Sequence, residues 1–221
     1  MVGYFPSRKP EAADALRYDV LTHVVYAFAI PTADGGLRPL EHLVTARAIL
    51  RDVHAVGVQV LVAVGGWSYN DTPLEAASVS ATGKVLTSAV LSGATADGNV
   101  YYDEAAHSDA VLEAVDWIHV MAYDGGDGPC HSPYDFAVRS AEYWRDTRGV
   151  PAEQVVLGVP FYAWPGWAGY GDILAAVPDA WRGDTALYQG MEVWYNGPDT
   201  VRGKTRYALD GLGGVMIWAV T

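Results

Sequence analysis

The stretch Val115-Asp116-Trp117-Ile118-His119-Val120-Met121-Ala122-Tyr123-Asp124, followed by Gly125-Gly126-Asp127-Gly128-Pro129, decides how this chain is read. Its middle is apolar with little polar alternation, the pattern of a parallel strand covered on both faces. Glycine and proline then mark an abrupt loop. The strand thus ends by presenting a phenol, Tyr123, beside a carboxylate, Asp124. Two readings of that pair stand. It is a hydrogen-bonded strand cap, or it is a site at the mouth of a sheet.

Similar apolar, β-branched runs recur on either side, at 2–5, 21–30, 58–66, 84–91, 154–162 and 213–220. Helical patterns alternate with them. Residues 40–56 place Leu43, Ala46, Leu50 and Val53 on one face and stop at Gly57. Residues 103–114 and 135–148 also read as helices, the second ending before Gly149 and Pro151, and a last helix at 199–210 has Asp199 or Thr200 near its N-cap. Strand–helix alternation predicts parallel strands with crossover helices. The stretch 163–198, rich in Gly, Pro and aromatics, breaks the rhythm and reads as an elaborated loop region with a short strand at 192–195.

At 221 residues the chain is long enough to bury a full core, and 1–221 is expected to be one domain. Apolar content of 51% against 18% charged residues describes a globular protein rather than a disordered one. With 14 Lys and Arg against 26 Asp and Glu, the net charge is −12, which repels phosphate backbones and anionic lipid. Neither nucleic acid nor a membrane is therefore an expected partner. No run reaches transmembrane length, and no signal peptide is read at the start, where Val2-Gly3-Tyr4-Phe5 already has strand character. The single cysteine, Cys130, permits no internal disulfide, and the six histidines show no ligand spacing, so neither metal nor cofactor is expected. Eight Trp and 14 Tyr are many for this length. They suit a core, and they also suit a sugar cleft, because pyranose C–H faces stack on aromatic planes.

Several strand ends share this chemistry. Gly65-Gly66-Trp67-Ser68, Met121-Ala122-Tyr123-Asp124, Pro160-Phe161-Tyr162 and Met216-Ile217-Trp218 would line one mouth with aromatic rings and a carboxylate. The pair Gly65-Gly66 lacks the third glycine and helix start of a dinucleotide fingerprint. Together with Tyr4-Phe5-Pro6, the strand at 21–30 that contains Phe28, Leu61-Val62-Ala63-Val64, Leu157-Gly158-Val159 and Gly213-Gly214-Val215, these motifs resemble glycoside hydrolase family 18, the chitinase family, in the same order. The resemblance implies an α/β TIM-type βα barrel acting on β-1,4-linked N-acetylglucosamine polymers. It also implies substrate-assisted retention, in which the substrate's acetamide oxygen attacks the anomeric carbon while an enzyme glutamic acid protonates the leaving oxygen. By motif, Tyr123 would hydrogen-bond the acetamide carbonyl, Asp124 would position the distorted sugar and Trp218 would floor it. Met121 and Tyr162 would form walls, with Tyr4, Phe28 and Trp67 as further substrate-binding residues. An extracellular location is what the family favours.

One departure bears on activity. The family's acidic strand, D-G-x-D-x-D-W-E, occurs nowhere in the chain. Only residues 68–83 separate the Gly-Gly-Trp strand from the next, and Asp116-Trp117 begins its strand at the wrong end. The expectation is a shortened barrel of about seven strands, with the fourth strand and its flanking helices missing. Sixteen residues, with a short helix at 74–80, suffice for a parallel crossover. Exposed barrel edges would then invite self-association. General acid catalysis is typically worth about 10²–10⁴-fold, and its donor is absent. Asp71, Glu75 and Asp127 are the nearest substitutes, each equally a solvated loop or capping carboxylate. The functional expectation is a chitinase-like protein recognising chitin or N-acetylglucosamine oligosaccharides, with hydrolysis impaired. The alternatives are a non-catalytic carbohydrate-binding pseudoenzyme or a degenerate, internally deleted product.

Overall fold

A computed structural model describes residues 1–30, 32, 37–66, 85–95 and 107–220. The chain divides into two compact units, Met1–Lys84 with Ala219–Thr221, and Val85–Trp218. All seven strands expected from the sequence are present.

The first unit carries β1 (Val2–Pro6), β2 (His23–Ala29) and β3 (Gln59–Val64), parallel and in the order β3–β2–β1. On one side Phe5 stacks on Tyr26 at 5.8 Å within a core of Leu16, Leu21, Val24, Ile49, Val53 and Val58. Helix α1 (Leu43–Ala55) supplies Ile49 and Val53. Its buried stripe differs from the one expected: Ala46, Ile49 and Val53 face the core, whereas Leu43 and Leu50 are exposed. At about 100° per residue Ile49 and Val53 centre the stripe, and Leu50 and Leu43 fall about 60° and 80° beyond Val53. The helix stops as expected, with Gly57 at φ +77° just past the cap residue Val56. Its start is anchored at Glu41, whose carbonyl accepts from Tyr26 Oη at 2.6 Å and whose carboxylate accepts from Ser7 Oγ at 2.9 Å.

The second unit carries β4 (Thr87–Leu91), β5 (Trp117–Met121), β6 (Val155–Pro160) and β9 (Gly214–Trp218) as a parallel ladder in that order. Ile118, Val120, Val155 and Leu157 are fully buried, as a strand covered on both faces requires. Asp116 is structural: its amide donates to Leu86 O and its carboxylate accepts from Leu86 N, both at 2.8 Å, at the N-terminal end of β5. Helix α2 (Asp109–Ala114) covers the end of the expected 103–114 helix, of which 103–106 lie outside the described residues. Helix α3 (Tyr134–Glu142) runs into a π-helical turn, Tyr143–Thr147, before Gly149 at φ +71°. Trp144 in that turn is fully buried and donates its indole N–H to Leu91 O at 2.8 Å.

The region 163–198 is more ordered than its composition suggested. It holds α4 (Tyr170–Ala176) and an antiparallel hairpin of β7 (Thr185–Tyr188) and β8 (Met191–Trp194). Its own small core joins Ala163, Ile173, Ala180, Val193 and Tyr195. Helix α5 (Pro198–Gly211) starts earlier than expected, its N-cap being Gly197 rather than Asp199 or Thr200. Pro198 presets the first helical φ. The capping carboxylate comes from elsewhere: Asp184 accepts from Gly197 N at 2.7 Å and from Thr200 Oγ1 at 2.6 Å. Among the described residues no helix is long and apolar enough to cross a membrane.

Candidate functional site

Beyond Met121 the chain leaves β5 through a tight kink, Ala122 N donating to Val120 O at 2.9 Å. Asp124 then takes a left-handed conformation, φ +59°, which a short polar side chain tolerates better than most. The loop closes on itself, with Gly125 N on His131 O at 3.1 Å and Ser132 Oγ on Ala122 O at 2.8 Å. Gly125 is required here, since a Cβ would lie 2.5 Å from the Phe136 ring. At the loop's tip, Gly128–Cys130 make one 3-10 turn, with Asp127 and Cys130 exposed.

The Asp124 carboxylate is gripped from below. Tyr162 Oη donates to it, 2.9 Å from each oxygen, and His131 Nδ1 lies 3.0 Å from Oδ1. The histidine contact is a close electrostatic approach, out of line for a hydrogen bond. Burial, then the Asp124 charge, pushes the Tyr162 hydroxyl far above the usual phenol range, so it remains a donor. Tyr123 and Tyr162 meet edge to face at 6.1 Å, and the His131 ring lies 5.2 Å from Tyr162. The Asp124 side chain is still 32% exposed. Carboxylate lone pairs therefore remain for an N–H or O–H arriving from solvent, beside a phenol that can donate.

Within the second unit, β6 and β9 complete this surface. Tyr123 lies against Gly158 of β6, where an added Cβ would stand 3.0 Å from the ring and 2.3 Å from Val120 O. Gly158 pairs in register with Met216, and two residues further Pro160 pairs with Trp218. Period two thus puts Trp218 on the Met216 face, the one that meets Tyr123. Trp218 and Met121 are half-buried. In the first unit, Tyr4 is buried in β1, and Phe28 of β2 packs against Gly66, whose Cβ would meet the ring at 2.7 Å. Trp67, Asp71, Glu75 and the expected helix at 74–80 lie outside the described residues. Among the described residues no three His, Cys, Asp or Glu side chains gather as a metal-holding group.

The family model described as "Glycosyl hydrolases family 18" matches residues 74–221, about two thirds of the chain. The chain belongs to glycosyl hydrolase family 18. Solved structures similar to this family 18 chain include a family 18 chitinase from Flavobacterium johnsoniae (TM-score 0.77, 23% identity, 99% of this chain and 87% of that one). Another is a class V chitinase from Nicotiana tobaccum in complex with NAG4 (0.70, 20%, 99% and 93%). A third is a chitinase-like agglutinin from Robinia pseudoacacia (0.74, 17%, 99% and 94%). These likenesses show the fold, α/β of the TIM-barrel type, carried by seven parallel strands among the described residues. Among curated proteins, none matches the sequence.

Sequence reasoning passed over four residues of this family 18 chain. His131 touches Asp124, and Ser132, Asn196 and Lys204 form a buried chain behind it. One signal was available. Val201, Lys204 and Ala208 follow the i, i+3, i+7 spacing of a buried stripe, so the lysine sits where an apolar residue belongs.

Proposed function

We propose that this chain is a chitinase-like, sugar-recognising member of family 18 that binds β-1,4-linked N-acetylglucosamine oligomers and hydrolyses them weakly or not at all. The observation carrying this reading is the Tyr123–Asp124–Tyr162 cluster, a partly exposed carboxylate fixed by a protonated phenol beside a second phenol. In the reading, Tyr123 donates to the acetamide carbonyl of the bound sugar, Asp124 accepts from it and Trp218 stacks beneath it. Tyr162 holds Asp124 and, with Met121, walls the site. The acetamide oxygen would be the nucleophile. The sequence has no D-G-x-D-x-D-W-E strand to protonate the leaving oxygen, and Asp127 is an exposed loop carboxylate. A structural relative called a chitinase-like agglutinin favours the second reading, a lectin-like protein without turnover.

The test is incubation of the pure, monodisperse chain with an N-acetylglucosamine tetramer, followed by mass spectrometry and calorimetry. Binding without shortened products is expected, with Trp218→Ala weakening affinity by more than about 1 kcal/mol through lost stacking. Rapid cleavage that vanishes in Tyr123→Phe would make the chain a working hydrolase with a proton donor of its own. Absence of binding by the folded chain would sink both readings.

A further inference from the structure

Lys204 is fully buried on α5, a position where a cation is costly unless it is matched. Three hydrogen-bond acceptors surround it. Its Nζ lies 2.8 Å from Ser132 O, 2.6 Å from Ser132 Oγ and 2.7 Å from Asn196 Oδ1, three acceptors for three ammonium protons. Asn196 Nδ2 donates to the same Ser132 carbonyl at 2.8 Å, and Ser132 Oγ donates its proton to Ala122 O at 2.8 Å. Four of these five bonds end on Ser132 or Ala122, the two ends of one loop. Ala122 precedes Tyr123 and Asp124, and Ser132 follows His131, which touches Asp124.

We propose that Lys204 is a positioning residue for Asp124: its Nζ pins the base of loop 122–132 and so holds Asp124 and His131 in register with Tyr162. Aliphatic packing between α5 and the ladder would need no such group. A rigid pose for a binding carboxylate does need one, because a loop left to itself samples many conformations. What Asp124 meets in solution rests on the sugar reading, whereas the clamp itself does not.

The decisive measurement is therefore made without sugar. Ring-nitrogen spectra of the 15N-histidine-labelled chain are compared between the parent and Lys204→Met, both verified as folded by circular dichroism. The His131 signals should move, while those of His107, lodged against Ser88 and Trp144, stay in place. Tetramer affinity should fall at least about tenfold, as misplacement of a binding group implies. If Lys204→Met does not fold, Asn196→Ala, which removes one acceptor, is read in the same way. Unmoved His131 signals in the folded variants overturn the clamp, whatever happens to affinity. Moved signals in a chain that never binds the tetramer uphold the clamp and overturn the sugar reading instead.

Discussion

Asp124 combines a positive φ with two fixed partners, and these features separate under mutation. Asn adopts the left-handed region readily and Ala does not, at a cost of about 1–2 kcal/mol. Asp124→Asn and Asp124→Ala should both lose tetramer binding, and Ala alone should show the added loss of stability in urea titrations. Gly158 gives a second test. Adding a methyl group drives Val120 O and the Tyr123 ring apart, so Gly158→Ala should destabilise by about 1–3 kcal/mol and alter the near-ultraviolet tyrosine signal. The pair Tyr123–Asp124 was legible in the sequence because a polar tip on an apolar strand is a local pattern. His131 and Lys204 were not, because their roles arise from contacts of Asp124 seven residues away and of Ser132 seventy-two away.

At the scale of elements, the departures from expectation concern what lies outside the element itself. Helix α5 is capped by Asp184, which no spacing rule within the helix reveals. Asp184→Ala should therefore cost about 1 kcal/mol in thermal denaturation, as the loss of an N-cap does, though the residue is not in the helix. In α1, Ile49→Ala should cost about 2–5 kcal/mol and Leu50→Ala well under half as much, since only Ile49 is buried. The hairpin β7–β8 was half seen because its turn, Gln189-Gly190, has both residues at positive φ (49° and 79°) without the Asn-Gly or Asp-Gly signature. Strands β1, β2, β5, β6 and β9 were readable for the opposite reason: buried parallel strands write near-unbroken apolar runs into the chain.

For the molecule as a whole, pH reveals what burial has done to its ionisable groups. Burial pushes the Lys204 ammonium down from its ordinary 10.5 to about 7, against the opposing pull of Asp184. Between those values the unfolded chain holds a proton that the folded chain has released, so stability rises with pH, by up to about 1.4 kcal/mol per unit. Tyr4, Tyr162 and Tyr195 are pushed upward by burial, Tyr195 to about 12. Above about pH 10 the unfolded tyrosines ionise first, and stability should fall again. Urea titrations across this range should show a maximum near pH 10 in the parent. In Lys204→Met the rise should vanish and the fall remain. The net charge of −12 was plain from composition, but this profile was not, because it depends on which groups the fold removes from water.

The chain's one cysteine, Cys130, is exposed at the tip of the loop whose two ends Lys204 ties together. A maleimide dye would therefore attach at a single position, with no engineered thiol and no native thiol to remove. Tethered four residues beyond Gly126 and six beyond Asp124, such a fluorophore turns the loop into its own reporter: any molecule settling over the carboxylate would change the dye's surroundings and be read as light.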